Sequence, residues 1–393
     1  MAILLATICN MRPPLPSGLV EIDLDSGCRK TLALGLAEAV LTCTGLAADE
    51  HYVYVLSETE SLRTYLSVLH RDGYGIEFVQ ELLEVKDGHS IAVSGQQLYV
   101  VSTRSDEVIA YTLRDRALAP CGAAWQASDA RRDTHHLNAV AVIDNELMIS
   151  GFGEKPGQTW SSAVNGYLVN ASSGQFAARA VYQPHSICAA DGEVYFCESA
   201  RGRIATLSGK QWHIGGYLRG LARLAPNRMA VGFNVTRKIS KSTGLENNPD
   251  DPGAKSGECG VGVYDLAGGE PRLLAQIDLS EHGNEIYDLL CLTPPSDTAE
   301  VVLGGASLPA PSMSGSPRDL QQENLRLHVQ LTEFAHALSR KQQELDAANL
   351  ELASREKVLS DARQATLEML QSKSWRLTAP LRQFREWLRR LGG

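Results

Sequence analysis

The amino-acid sequence predicts an all-β fold. It is a six-bladed β-propeller closed by the N-terminal strand, followed by a C-terminal α-helical coiled coil and a short amphipathic helix. Three observations predict it. A phrase made of a polar opening, a short apolar run, a turn and a second β-rich run recurs six times along the 393 residues, at intervals of roughly 35 to 65 residues. A strand precedes the first copy, and the last copy lacks outer strands. The apolar period changes to heptads near residue 318.

The phrase is clearest from Pro184 to Arg203, PHSICAADGEVYFCESARGR, where Asp191-Gly192 turns the chain between two β-rich runs. Thr44-Gly45-Leu46 leads into YVYVLS, and His89-Ser90-Ile91 leads through Gly95 into LYVVS. Leu137-Asn138-Ala139 leads through Asp144-Asn145 into LMISG, Arg219-Gly220-Leu221 through Pro226-Asn227 into MAVGF, and Tyr287-Asp288-Leu289 into VVLGG. A third strand follows several copies: VIAYTL (108–113), GYLVN (166–170), RIATL (203–207) and GVGVYDL (260–266). One such sheet cannot bury both its faces, whereas blades packed radially can. A two-sheet sandwich is the alternative. The strand GLVEIDL (18–24) and the truncated last copy predict that residues 1–30 complete the sixth blade. The propeller then spans 1–305. One loop, between MAVGF and CGVGVYDL, runs to more than twenty residues, most of them polar, a length that marks a functional or disordered segment.

Residues 306–317, ASLPAPSMSGSP, read as a Pro/Ser linker. Over 318–370, Leu331, Leu338, Leu345, Leu352 and Leu359 repeat every seventh residue, with Leu327, Phe334, Ala348, Ala362 and Met369 at the companion position and Lys341 and Arg355 interrupting it. This pattern predicts a self-associating coiled coil. A single solvated helix is the other reading. Over 371–393, Pro380 opens a helix whose Leu381, Phe384, Trp387, Leu388 and Leu391 form an apolar stripe flanked by four arginines. Such a helix suits either an anionic inner-membrane surface or a partner protein.

Charge narrows the partners. Residues 1–317 carry 24 basic and 36 acidic side chains (net −12), and residues 318–393 carry 13 and 10 (net +3). An acidic body argues against nucleic acid, which needs a basic face to displace counterions. Eight cysteines without a CxxC pair are expected to be reduced thiols in a cytoplasmic protein, peripheral at most to the inner membrane. The apolar N-terminus lacks a basic leader region and is read as a strand. No run of 18 apolar residues is present to span a bilayer.

The phrase openings gather the polar candidates. First strands of propeller blades line the central channel, so His89, His136, Asn138, His185, Arg219, Glu285 and Asp288 are expected at the channel mouth as a ligand site. Repeated polar groups can equally tie neighbouring blades together. Arg237 in the long loop joins Arg219 as a possible anion contact. Asn138, Glu285 and Asp288 offer oxygen ligands suited to Ca²⁺ or Mg²⁺. His185-Ser186 and His89-Ser90 are not expected to act as base and nucleophile, because successive strand residues face opposite sides. No nucleophile elbow, Walker loop or dinucleotide fingerprint occurs.

PHS at 184–186, RGLA at 219–222, VGF followed by Arg237, CGV at 259–261 and EIYD at 285–288 occur in that order. The set resembles an uncharacterised bacterial family of propeller-like domains (domain of unknown function 4915 type). The resemblance covers residues 130–292 well and the N-terminal third loosely. It implies a propeller and no established activity. The chain departs from the family pattern at Ile187-Cys188 and at Asn234-Val235. The tail segment from Ser372 to Arg382, SKSWRLTAPLR, is similar to segments attached to bacterial glycosyltransferases and methyltransferases of surface-polysaccharide synthesis. It implies polysaccharide-biosynthesis enzymes or a glycan precursor as partners. The resulting expectation is a non-catalytic scaffold or carbohydrate- or partner-recognition protein without a cofactor. The rival expectation is a metal-dependent propeller lyase or hydrolase with its site in the channel.

Overall fold

A computed structural model describes residues 2–11, 17–234 and 259–292. The long loop with Arg237, the run VVLGG (301–305), the linker, the coiled coil and the tail helix lie outside the described residues. The chain opens with β1 (Ile3–Met11), β2 (Leu19–Asp23) and β3 (Arg29–Leu32). Blade 1 holds β4 (Val40–Ala48), β5 (Tyr52–Thr59), β6 (Thr64–His70) and β7 (Ile76–Glu81). Blade 2 holds β8 (Gly88–Ser94), β9 (Gln97–Ser102), β10 (Glu107–Arg114) and β11 (Ala117–Gln126). Blade 3 holds β12 (Leu137–Ile143), β13 (Glu146–Gly151), β14 (Gly166–Asn170) and β15 (Phe176–Val181). Blade 4 holds β16 (Pro184–Ala190), β17 (Glu193–Glu198), β18 (Arg203–Thr206) and β19 (Gln211–His213). Blade 5 holds β20 (Tyr217–Ala225), β21 (Arg228–Asn234), β22 (Gly260–Asp265) and β23 (Arg272–Asp278). The last described strand, β24 (Gly283–Cys291), lies beside β1, and β24-β1-β2-β3 form blade 6.

Six four-stranded antiparallel sheets exclude the sandwich. The N-terminal segment closes the ring as expected, but the sharing is one strand to three. The partner of β24 is β1, paired from Leu4↔Cys291 to Met11↔Gly283. The chain-terminal halves are thus laced by backbone hydrogen bonds, which leaves no open sheet edge at the seam. The hairpins form where turn chemistry allows them. Asp144 and Asn145 both take positive φ between β12 and β13, as a type I′ turn requires. Asp191 and Gly192 do the same between β16 and β17.

The core is divided among the blade seams. Leu46 and Val55 of blade 1 pack on Leu5 and Leu19 of blade 6, and Tyr54 and Leu56 pack on Val100 and Tyr111 of blade 2. Val101 and Val108 meet Ile149 and Val169, and Leu168 meets Phe196. Leu221 and Val231 meet Cys197 and Ile204, and Val261 and Val263 meet Leu4 and Ile8. Each fully buried aliphatic side chain at a seam stabilises by about 1.5–3 kcal/mol, so every blade needs both of its neighbours.

The inner strands β4, β8, β12, β16, β20 and β24 touch in a closed ring. Each carries a bulge where the recurring phrase opens: between Cys43 and Leu46, Gly88 and Ile91, Leu137 and Ala139, His185 and Ile187, Arg219 and Leu221, and at Tyr287. A bulge frees a residue from the ladder and bends the strand. The freed groups bridge the seams. The Thr44 hydroxyl donates to the Gly88 carbonyl at 2.8 Å, and the Val140 amide donates to Ser90 Oγ at 3.3 Å. The Gly220 amide donates to Ser186 Oγ at 2.8 Å, and the Leu46 amide donates to Asp288 Oδ2 at 3.2 Å.

At Gly220 the bulge leaves no room for a side chain. Its φ is +74°, and a Cβ there would stand 2.8 Å from Leu289 Cγ and 3.1 Å from the Asp288 carbonyl carbon. Gly220→Ala is expected to cost roughly 2–4 kcal/mol from backbone strain and overpacking together. Gly174→Ala, at φ +68° with nothing within 4 Å, carries only the backbone part, about 1 kcal/mol. Urea unfolding of both variants checks this. Equal losses would show that the inner-strand approach is not what excludes a side chain at Gly220.

Candidate functional site

His89, His185, Arg219 and Tyr287 stand at the bulges of β8, β16, β20 and β24, and their side chains meet through the rings of His136, Phe152 and Tyr217. His89 contacts Tyr287 edge to face at 5.3 Å between ring centroids, and His136 at 5.4 Å. His136 contacts Phe152 at 4.8 Å, Phe152 contacts His185 at 5.2 Å, and His185 contacts Tyr217 at 5.6 Å. The Arg219 guanidinium closes the circuit, 5.6 Å from the Tyr217 ring and 4.7 Å from the Tyr287 ring. The result is a belt of seven side chains drawn from blades 2 to 6. Edge-to-face rings and a cation on aromatic faces hold it. Trp160, on a one-turn 3₁₀ segment after β13, backs it at 4.6 Å from His136.

A cavity of about 480 Å³ runs from the belt along the inner strands of all six blades. His89, Asn138, His185, Tyr287 and Asp288 line it near the belt, and Ala48, Val142, Ala189, Arg223 and Cys291 line its far end.

Proton positions follow from the partners. His185 Nδ1 lies 3.1 Å from the Gln183 carbonyl and 2.7 Å from Ser199 Oγ, and the Ser199 hydroxyl donates to the Leu218 carbonyl at 2.6 Å. A carbonyl only accepts, so Nδ1 carries the hydrogen and Nε2 keeps a lone pair. That Nε2 is buried without a hydrogen-bond partner. Burial, reinforced by the nearby Arg219 charge, holds His185 neutral, well below the usual imidazole range. His89 is built alike. Its Nδ1 faces the Asp87 carbonyl at 3.1 Å, and burial lowers it to about 4 despite the Asp87 charge. Asn138 donates its amide to the His136 carbonyl at 3.0 Å, and its buried Oδ1 has no partner. Arg219 Nε is also buried without a partner, while its NH1 lies 3.8 Å from Glu285.

Asp288 stands apart from the belt, one residue further along β24. Its oxygens accept only from the Leu46 and Leu289 amides, at 3.2 and 3.0 Å. Burial raises its carboxyl to about 7. The Cys188 thiol on the same cavity is pushed up to about 11, by burial first.

The structure therefore gathers His89, His136, Asn138, His185 and Arg219, with Glu285 beside Arg219, and places Asp288 deeper in the channel. Arg237 lies outside the described residues. Among the described residues no three His, Cys, Asp or Glu side chains converge to hold a metal ion. Arg219 stands next to Glu285 where the Ca²⁺ or Mg²⁺ reading needs a cation. The His-Ser pairs do not act as base and nucleophile, but not through alternation, which the bulge interrupts there: His185 bonds Ser199, in the 3₁₀ turn that follows β17, and Ser186 holds Gly220. Sequence reasoning missed the aromatic members Phe152, Trp160, Tyr217 and Tyr287. Tyr217 and Tyr287 stand at phrase openings, whereas Phe152 and Trp160 follow β13 and carry no such signal. All eight cysteines are described and none is disulfide-bonded. No helix among the described residues is long and apolar enough to cross a membrane.

Residues 42–300 match the family described as Domain of unknown function (DUF4915), and the chain belongs to it. No curated protein matches. Among solved structures, the chain is similar to the nidogen/laminin complex, at 10% identity and TM-score 0.49 over 75% of this chain and 99% of that one. It is similar also to a candidate 6-phosphogluconolactonase from Bacteroides fragilis, at 14% and 0.45 over 74% and 98%. A third likeness is to a luciferin-regenerating enzyme, at 12% and 0.44 over 61% and 76%.

The depressed histidines make acid unfolding a readout of the belt. A histidine whose folded value lies below its unfolded one stabilises above the unfolded value and loses that stability as pH falls between the two. For His89 the window is pH 6.5 to about 4, and the share is about 3 kcal/mol. Asp288 works with the opposite sign between about 4 and 7, because its folded value is raised. The difference between the parent and His89→Asn isolates the histidine. In urea titrations the variant is expected to be less stable at pH 7 and to lose about 3 kcal/mol less than the parent on going to pH 4. Parallel losses would mean that His89 is not held neutral by burial.

Proposed function

We propose that the propeller is a carbohydrate-recognition domain whose ligand sits in the channel cavity, in a protein that serves bacterial surface-polysaccharide synthesis in the cytoplasm. One observation carries the recognition half. Buried acceptors with no partner, His185 Nε2 and Asn138 Oδ1, belong to residues that line a cavity built by all six blades. Buried polar atoms without partners are rare, and each one has a use. Two fixed acceptors call for hydroxyl donors, which saccharides supply in number. Aromatic side chains beside them offer apolar edges to the ring carbons of a sugar. The His185 proton is committed to Ser199 and Gln183, so the ring presents an acceptor to a ligand rather than activating a serine.

The polysaccharide half rests on the segment SKSWRLTAPLR and the heptads before it. In this reading residues 318–370 join chains, and the basic helix of 371–393 meets the inner membrane or a partner enzyme.

Titration with a panel of monosaccharides and nucleotide sugars is expected to raise the melting temperature of the full chain for at least one member. Asn138→Leu and His185→Phe are expected to abolish that rise. If no saccharide stabilises the parent, the recognition half falls. Light scattering of the full chain beside residues 1–317 checks the second half. The full chain should be an oligomer and the truncated chain a monomer. Equal masses would remove the coiled coil from the account.

A further inference from the structure

We infer that the channel cavity selects an amino-sugar-class ligand, a hydroxyl-rich molecule whose ammonium sits against Asp288 and whose hydroxyls meet His185 and Asn138. This rests on the carbohydrate reading and adds the charge of the ligand to it.

The inference starts from the charges that face the cavity. Among the described residues its lining holds two charged side chains, Asp288 and Arg223, because His89 and His185 are kept neutral by burial. Arg223 is engaged by Asp191 at 2.7 Å. Arg219 does not line the cavity, and its guanidinium is spent in the belt between two tyrosines and Glu285. Among the described residues Asp288 makes no ion pair, and it accepts two backbone amides, one per oxygen. A carboxylate offers about four acceptor sites, so it keeps capacity on the cavity side.

The unpartnered buried atoms that His185 and Asn138 bring to the cavity are acceptors. His185 Nε2 and Asn138 Oδ1 have no hydrogen, and their residues are 3% and 2% exposed. His89 Nε2 is an acceptor too, since Nδ1 holds the ring proton on the Asp87 carbonyl. An anionic ligand would meet a carboxylate and a row of lone pairs. A neutral sugar would satisfy the lone pairs and leave Asp288 with its carboxyl raised to about 7 by burial, whereas a cation beside it favours the charged carboxylate. A protonated amine with neighbouring hydroxyls answers both, because charge-assisted hydrogen bonds in an enclosed site are about twice as strong as neutral ones.

Calorimetric titration of the full chain at pH 7 with glucosamine, N-acetylglucosamine, glucose 6-phosphate and putrescine tests it. Glucosamine is expected to bind about tenfold or more tightly than its N-acetyl counterpart, which keeps the hydroxyls and loses the charge. Glucose 6-phosphate is expected to bind more weakly than either sugar. Asp288→Asn should bring glucosamine to within about twofold of N-acetylglucosamine. Should Asp288→Asn not fold, the four probes on the unaltered chain still decide. Equal affinity for the two sugars, or preference for the phosphate, overturns this inference and leaves the carbohydrate reading standing. Binding of putrescine without either sugar, or binding of none of the four, overturns both.

Discussion

Everything in the propeller depends on how closely six inner strands can approach one axis. Backbones that converge this tightly cannot all keep their ladder partners, and each inner strand carries a bulge at the same level. The bulge separates two neighbouring residues that would otherwise alternate. One of them reaches sideways to the next blade, as Thr44, Ser90, Ser186 and Asp288 do. The other turns to the axis. The seam hydrogen bonds and the belt of rings are therefore two products of one backbone event, and neither could be moved along the strand without the other.

The division of labour explains the chemistry of the channel. Side chains that bridge seams have their hydrogen-bonding capacity used by backbone. Those facing the axis are left with acceptors pointing into a confined space, and confinement strips the imidazoles of their charge. Asp288 belongs to both sets. It fastens blade 6 to blade 1, at the seam where the two ends of the described propeller meet, and it also lines the cavity. Ring closure and one of the charged groups of the cavity thus share one carboxylate, in a blade assembled from residues nearly the whole propeller apart.

Much of this was legible in the residues. Turn pairs such as Asp144-Asn145 and Asp191-Gly192 marked hairpins because few residues tolerate positive φ. The third strands were legible through their β-rich runs. The outermost strands were not: β11, with Pro120 and Gly122, is mostly exposed and has no face to bury, so alternation is absent from it. The sharing of blade 6 was half legible: the strand at 18–24 and the truncated last copy predicted closure by residues 1–30, while the pairing of β1 with β24 follows from the fold.

The sequence by itself determined the repeat, the number of blades, the N-terminal closure and the polar character of the phrase openings, because these follow from local period and turn chemistry. Only the tertiary structure decided which member of each polar pair faces the axis, because a bulge shifts register by one residue without leaving a local mark. It alone brought Phe152, Tyr217 and Tyr287 between the histidines, drew Arg219 out of the cavity into the belt, and left Asp288 without an opposing charge. Those outcomes depend on distances between blades, and no stretch of the chain contains them.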